Sequence, residues 1–494
     1  MIDWTFYVMV IGLVFGLGFW LGRYSRGSGL CLTAVLILSV GLPVLGGPNE
    51  VLAVACADAR TLPPPLAYKT RYLDMSVYTP EQRMELIPAF RGHVAEMSRT
   101  PYFLPPRPVA DGLLLAVVLD YYGWDAKVWE QFTADPYHHQ WVKRADGYSH
   151  YQVPSYIDKA LKADLYRLTQ SYAPVVSADW WFFYTSRQLD LDNKEIKYGY
   201  YDQLGLKKRA DFEALGGTDK KAAIKLGLEM LAAVRQGKAR LRQLDSGIEW
   251  YRVLTGSLYL TLDTDSLAGG NIIAAKLARG TFKHKAEEGY ITLPNGMWGF
   301  WLGNDKGERQ NTAPDFIGSD DSPLRSGRDG RIHICQSCKN CHVNGGLQDV
   351  DDWARRNFKG PGGLESADYQ KFLELYGQYF SDLKAQIEKD RQAHREALKK
   401  HTGLTPEAYA KYSAQLYYGY LVDEWTPERL ARRAGVQPDN LVNSLRRYAA
   451  AKGGGLDDYL APLKELTNVP PEGIPVRWAE EMYPYLMQVL RDYP

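Results

Sequence analysis

The chain has 494 residues and a formal net charge of +1, from 59 basic and 58 acidic residues. So even a balance gives no reason to expect nucleic acid or another polyanion as partner. Aromatic residues make up 13% of the chain and Tyr alone numbers 34, enough to build a large core or to enclose a flat apolar cofactor.

Two apolar runs open the chain, residues 4–21 and 30–45, each near the ~20 residues that a membrane-spanning helix needs. Arg23 and Arg26 lie between them, so the positive-inside rule puts that short loop in the cytoplasm. The expectation is a transmembrane helical hairpin over residues 1–50, with the remainder on the periplasmic, extracytoplasmic side of the cell membrane. Ala53-Val54-Ala55 before Cys56 is a rival signal, a processing site that would leave Cys56 available for lipid.

Residues 51–70 form an expected linker, stiffened over 57–68 by Pro63-Pro64-Pro65. Residues 71–245 are expected to be mixed. Thr79-Pro-Glu-Gln opens a helix carrying Met84, Ile87, His93 and Met97. The run Leu113-Leu-Leu-Ala-Val-Val-Leu119 fits a buried strand, and residues 124–132 a helix ended by Asp135-Pro136. The block Trp180-Trp-Phe-Phe-Tyr184 reads as core. Residues 205–245 are predicted helical, with a basic solvated face.

A strand-rich region is expected over 246–365. It holds alternating residues over 250–262, a turn at Leu293-Pro-Asn-Gly296 and another at Asp305-Lys-Gly307. Residues 366–494 are expected to be mainly helical, beginning with an amphipathic helix over 369–387 that continues through a charged stretch to Gly403. Thr405-Pro406 and Thr426-Pro427 each start a helix by N-capping. Residues 426–447 imitate a helix-turn-helix, but topology and charge argue for a helical packing unit. With helices and strands segregated and no βαβ rhythm, the fold class is α+β.

The chemically specific stretch is Cys335-Gln-Ser-Cys338-Lys-Asn-Cys341-His342. Its last five residues read C-x-x-C-H, the attachment signature of haem c. Cys338 and Cys341 can each add to a porphyrin vinyl group, and His342 then reaches the iron as proximal ligand. A zinc or iron–sulfur site would use Cys335 as well, but the second distant cysteine pair of most structural zinc sites is missing. A disulfide with a spare thiol is the third reading.

Several phrases accompany the motif: Leu293-Pro-Asn-Gly296, Asn304-Asp-Lys-Gly-Glu-Arg309, Ala313-Pro314, Ser98-Arg-Thr-Pro101, Asp120-Tyr-Tyr-Gly-Trp124, Asp135-Pro-Tyr137, Ala178-Asp-Trp-Trp-Phe182 and Tyr201-Asp-Gln-Leu-Gly205. Together they resemble a broad family of bacterial secreted monohaem c-type cytochrome (CxxCH) proteins, over most of residues 70–490. The resemblance implies one covalent haem, export and no assigned reaction. Cys335 and the double apolar run depart from that pattern.

The distal ligand decides the functional class, since a doubly ligated haem transfers electrons and an open one binds small molecules. Candidates are His138 and His139, which follow Asp135-Pro-Tyr137, and Met297 in the hairpin turn. His394 and His401 lie on the charged helix and are expected to be solvated. Arg309, Arg325, Arg328 and Arg331 could face propionates or solvent. The expected function is a membrane-anchored monohaem electron-transfer protein with redox-protein partners, as one subunit of a larger redox complex. The alternatives are a haem enzyme of peroxidase or reductase type with an open site, and a scaffold stapled by its haem.

Overall fold

The computed structural model describes residues 47–138, 142–143, 151–152, 156–226, 229–236, 244–264, 282–315, 317, 330–342, 380–421, 425–452, 474 and 476–494. Ten helices matter here: α1 (Pro48–Thr61), α2 (Pro80–Glu96), α3 (Lys159–Thr169), α4 (Ala178–Thr185), α5 (Gln336–Cys341), α6 (Phe380–Thr402), α7 (Pro406–Leu421), α8 (Pro427–Ala434), α9 (Pro438–Ala451) and α10 (Val476–Asp492).

The first sheet runs β2-β3-β1-β6, built from β1 (Thr70–Asp74), β2 (Arg107–Val109), β3 (Leu114–Val118) and β6 (Val175–Ser177). β1 pairs antiparallel with β3 and parallel with β6. Alternate residues serve two apolar clusters: Tyr72, Leu114, Ala116 and Val175 face one, Leu73, Leu115, Val117 and Val176 the other. Burial on both faces explains why this strand sequence is a continuous apolar run rather than an alternation. Between these strands in sequence, β4 (Val142–Lys143) and β5 (Tyr151–Gln152) form a separate two-stranded pair.

The second sheet is an antiparallel meander ordered β11-β10-β9-β8-β7, from β7 (Glu229–Gln236), β8 (Leu244–Val253), β9 (Gly256–Asp263), β10 (Ala286–Thr292) and β11 (Trp298–Asn304). Leu293-Pro-Asn-Gly296 turns β10 into β11, with Gly296 at φ 87°, a conformation glycine adopts without steric cost. The larger apolar cluster draws on α2, α4, this sheet and helices α5 to α10.

The fold is mixed α+β, but the expected architecture needs correcting at its start. Among the described residues no helix is long and apolar enough to cross a membrane. The apolar runs at 4–21 and 30–45 lie outside the described residues. The described chain begins instead with α1, which Pro48 starts from the first turn, where its missing N–H costs nothing. The stretch expected to be a spacer is therefore helical. Val51, Leu52, Ala55, Cys56 and Ala59 bury against Tyr72, Leu114 and Leu165, and Cys56 Sγ lies 3.5 Å from the Leu161 carbonyl oxygen.

Two further corrections concern residues 205–245 and α6. The helical expectation holds for Arg209–Leu215 and Lys220–Lys225, but Glu229–Gln236 is a strand. Its Glu, Met, Leu and Ala favour helix, yet pairing with β8 along the full register from Glu229↔Tyr251 to Gln236↔Leu244 overrides that local preference. α6 is highly charged, but Leu383, Ile387, Asp390, His394, Leu398 and His401 form one buried stripe. His394 and His401 are thus buried, not solvated.

α8 and α9 bury Leu430, Ala431, Leu441 and Leu445. The Arg433 guanidinium is turned inward, with Nη2 2.5 Å from Asp179 Oδ1, Nη1 3.6 Å from Asp74 Oδ2 and its carbon 4.5 Å from the Tyr137 ring centre. Burial and two nearby carboxylates make this arginine a tie between the C-terminal helices and the first sheet.

Candidate haem-attachment site

α5 carries the cysteines, and its short sequence directs side chains three ways. Gln336 and Asn340, one turn apart, are joined at 3.0 Å. Asn340 Nδ2 donates to Tyr418 OH at 2.6 Å and Ser413 Oγ to Gln336 Oε1 at 3.3 Å, so this side is pinned to α7. At the helix start, His333 N donates to Ser337 Oγ at 3.0 Å and Gln336 N to the Ser186 carbonyl at 3.2 Å. The entry residue Cys335 sits at φ 74° and ψ −77°, a left-handed conformation that costs a side-chain-bearing residue on the order of 1–3 kcal/mol.

The second side points into the core. Lys339 Nζ lies 2.6 Å from Glu96 Oε2 and 3.1 Å from His93 Nδ1, and His93 Nε2 is 2.8 Å from Thr185 Oγ1. Tyr409 OH donates to Glu96 Oε2 at 2.7 Å. Burial alone would raise the Glu96 carboxyl, but the Lys339 ammonium and His93 bring it below its ordinary value. Burial would likewise lower the Lys339 pKa, but the Cys335 sulfur, hydrogen-bonded to it, and Glu96 raise it instead. Lys339 therefore stays charged inside the fold. His93, desolvated and beside that ammonium, is pushed down to about 3 and is neutral. Burial pushes the Cys335 thiol up to about 12.

The third side holds the residues of the C-x-x-C-H sequence. Cys338 and Cys341 are three apart and so share a helix face. Cys338 is buried and Cys341 exposed. Burial, then the Glu288 carboxyl, holds the Cys338 thiol well above its usual range. His342 closes the helix, its N–H bonded to the Cys338 carbonyl at 2.9 Å. Its Nε2 is 2.6 Å from Tyr290 OH, and the two rings are 4.5 Å apart.

Tyr290 belongs to an aromatic sheet face. It pairs with Tyr259 on β9 and Phe300 on β11, and directly opposed residues share a face. Trp298, two residues before Phe300, projects the same way. Ring centres are 5.8 Å apart for Tyr290 and Phe300, 6.4 Å for Tyr290 and Trp298, and 6.0 Å for Tyr259 and Trp298. α6 covers the same face: Tyr259 OH is 2.5 Å from Asp390 Oδ2, and the His394 ring is 6.1 Å from Trp298.

The expected distal ligands fare differently. His138 is brought to the first sheet, with Nε2 2.9 Å from Asp74 Oδ2, engaged by a carboxylate. His139 lies outside the described residues. Met297 is fully buried beside Gly296 in the β10–β11 turn. Arg309 is occupied by Glu195 and by the Leu206 carbonyl and lies over the Tyr201 ring. Arg325 and Arg328 lie outside the described residues.

Sequence reasoning missed Lys339, Glu96, Tyr290 and the aromatic face. The spacing of Lys339, four residues after Cys335, was the one local hint, because i and i+4 meet on a helix. The donor set of two thiols one turn apart, an adjoining imidazole and an aromatic sheet face fits a covalently held porphyrin. No group of three or more metal-binding side chains is present among the described residues. Searched against family models, curated proteins and solved structures, the chain matches none.

Proposed function

We propose that the chain is an extracytoplasmic monohaem c-type cytochrome, akin to the secreted family it resembles, that carries one electron at a time between redox proteins. The observation that carries this reading is the C-x-x-C-H sequence on one turn of α5, with its imidazole set against an aromatic wall. When bound, a haem supplies a one-electron couple.

The residues have separable tasks in this reading. Cys338 and Cys341 would hold the group covalently, and the His342 imidazole would ligate its iron. Tyr290 OH, at 2.6 Å from His342 Nε2, orients the imidazole before loading. Tyr290, Phe300 and Trp298, packed edge to face, would give an apolar wall that excludes water from one side. The α7 contacts of Gln336 and Asn340, with Lys339 locked to Glu96, fix the helix so that the tethering atoms keep their places.

The test is intact-mass spectrometry of protein produced alongside haem-attachment machinery. A covalent haem adduct that disappears in Cys338→Ala/Cys341→Ala supports the proposal, and wild-type protein without an adduct ends it. The spectrum then sets the class: a low-spin iron indifferent to carbon monoxide fits a carrier, and a high-spin, carbon monoxide-binding iron fits a haem enzyme with an open site.

A further inference from the structure

We infer that His394 of α6 is the second axial ligand of the haem iron, an assignment that rests on the haem reading above. His342 stands against Tyr290 and His394 against Trp298, at 4.5 Å and 6.1 Å between ring centres, and those two supporting rings are 6.4 Å apart on one sheet face. The two imidazoles thus overlie neighbouring positions of a single aromatic wall, one delivered by α5 and the other by α6.

The state of the His394 ring points the same way. The side chain is 7% exposed, and its Nδ1 has no hydrogen-bond partner among the described residues. The backbone of Gly296 lies within hydrogen-bonding reach of the ring. A ligating histidine characteristically donates its second N–H to a backbone carbonyl or carboxylate, which fixes the tautomer and leaves one lone pair for the metal. An unpaired ring nitrogen in a dry site is costly to leave without a partner, and coordination would supply one.

The other described histidines are set apart by position or by partner: His333, two residues before Cys335, is too close along the chain to reach the far face of the same haem. His93 uses both ring nitrogens, on Thr185 and Lys339. His401 Nε2 is 2.9 Å from the Asn295 carbonyl oxygen, with its ring packed on Phe103. His284 Nε2 is 2.8 Å from Glu287. His138, with Asp74, belongs to the first sheet.

The test compares wild type, His394→Ala and His394→Met, all produced with haem attached and checked for folding by circular dichroism. Wild type is expected to be low-spin in both oxidation states and indifferent to carbon monoxide. His394→Ala should keep the covalent adduct but lose the low-spin ferrous spectrum and bind carbon monoxide, with added imidazole restoring the low-spin form. His394→Met should stay low-spin with a changed near-infrared charge-transfer band and a raised potential, and it decides the matter if the alanine variant does not fold. A folded His394→Ala or His394→Met that retains the wild-type spectrum overturns the assignment, as does a wild-type adduct that binds carbon monoxide. Both outcomes leave the attachment reading intact, whereas a wild type with no adduct removes both.

Discussion

Lys339 and Glu96 form a salt bridge of 2.6 Å with each side chain only 5% exposed, joining the helix that carries the cysteines to the end of α2. Deleting one partner of such a pair leaves a bare charge in the interior. Lys339→Met should therefore lower unfolding free energy by roughly 3–5 kcal/mol, and Lys339→Met/Glu96→Leu should regain most of that loss. Urea unfolding of the single and double variants checks it. A single variant as stable as wild type would show that the pair contributes nothing.

His93 makes the fold acid-sensitive. In the unfolded chain its imidazole titrates near 6.5, but burial and the Lys339 ammonium hold it down to about 3 in the fold. Between those values the unfolded state binds a proton that the native state refuses, so stability must fall as pH falls from about 6.5 toward 3. Ser186, Thr185, Glu96 and Lys339 are the polar groups that face it. His93→Gln should flatten the upper part of that slope, between pH 6.5 and 4.5, before carboxylates titrate. Melting temperature against pH for the two proteins would expose an unchanged slope.

Glu480 acts in the opposite direction. Its carboxyl, which accepts hydrogen bonds from Tyr420 and Tyr184, is raised to about 8, chiefly by burial. The unfolded carboxyl loses its proton near 4.5, so over that interval the native state holds the extra proton and stability falls as pH rises toward 8. Glu480→Gln keeps an oxygen acceptor and removes the titration. It should be close to wild type at pH 4–5 and more stable at pH 8–9, as read by thermal denaturation at each pH.

Cys335 supplies a test of backbone strain. At φ 74° a β-carbon is penalised and glycine is not. Cys335→Gly and Cys335→Ala lose the same thiol, yet the glycine variant should be the more stable by about 1 kcal/mol. Equal stabilities would mean that the left-handed conformation is not retained in the variants. On the proposed reading neither change should alter haem attachment, which would rest on Cys338 and Cys341.

What the sequence disclosed was what lies close together along the chain. The C-x-x-C-H spacing, the Leu293-Pro-Asn-Gly296 turn and the Thr-Pro helix starts at 79, 405 and 426 are all set within a few residues, so short patterns reveal them. Lys339 and His93 are 246 residues apart, and nothing local announces that a lysine between two cysteines will be drawn inward. His394 was hidden for a related reason: α6 carries so many charges that its buried stripe is masked until the sheet it covers is known. Glu229–Gln236 failed because long-range pairing outweighs helix preference, and residues 57–61 because prolines just downstream drew attention from an alanine-rich helix.

α1 has a bearing on how the polypeptide can be matured. Val51, Leu52 and Val54 plug the smaller apolar cluster, and the Cys56 sulfur is enclosed at 1% exposure. A peptidase acting after Ala55 would pull those three plugs out of a finished body, and a lipid joined to Cys56 would have nowhere to leave by. Trimming compatible with the intact body must therefore fall upstream of Pro48, which makes the N-terminal residue of the isolated polypeptide an informative quantity to sequence.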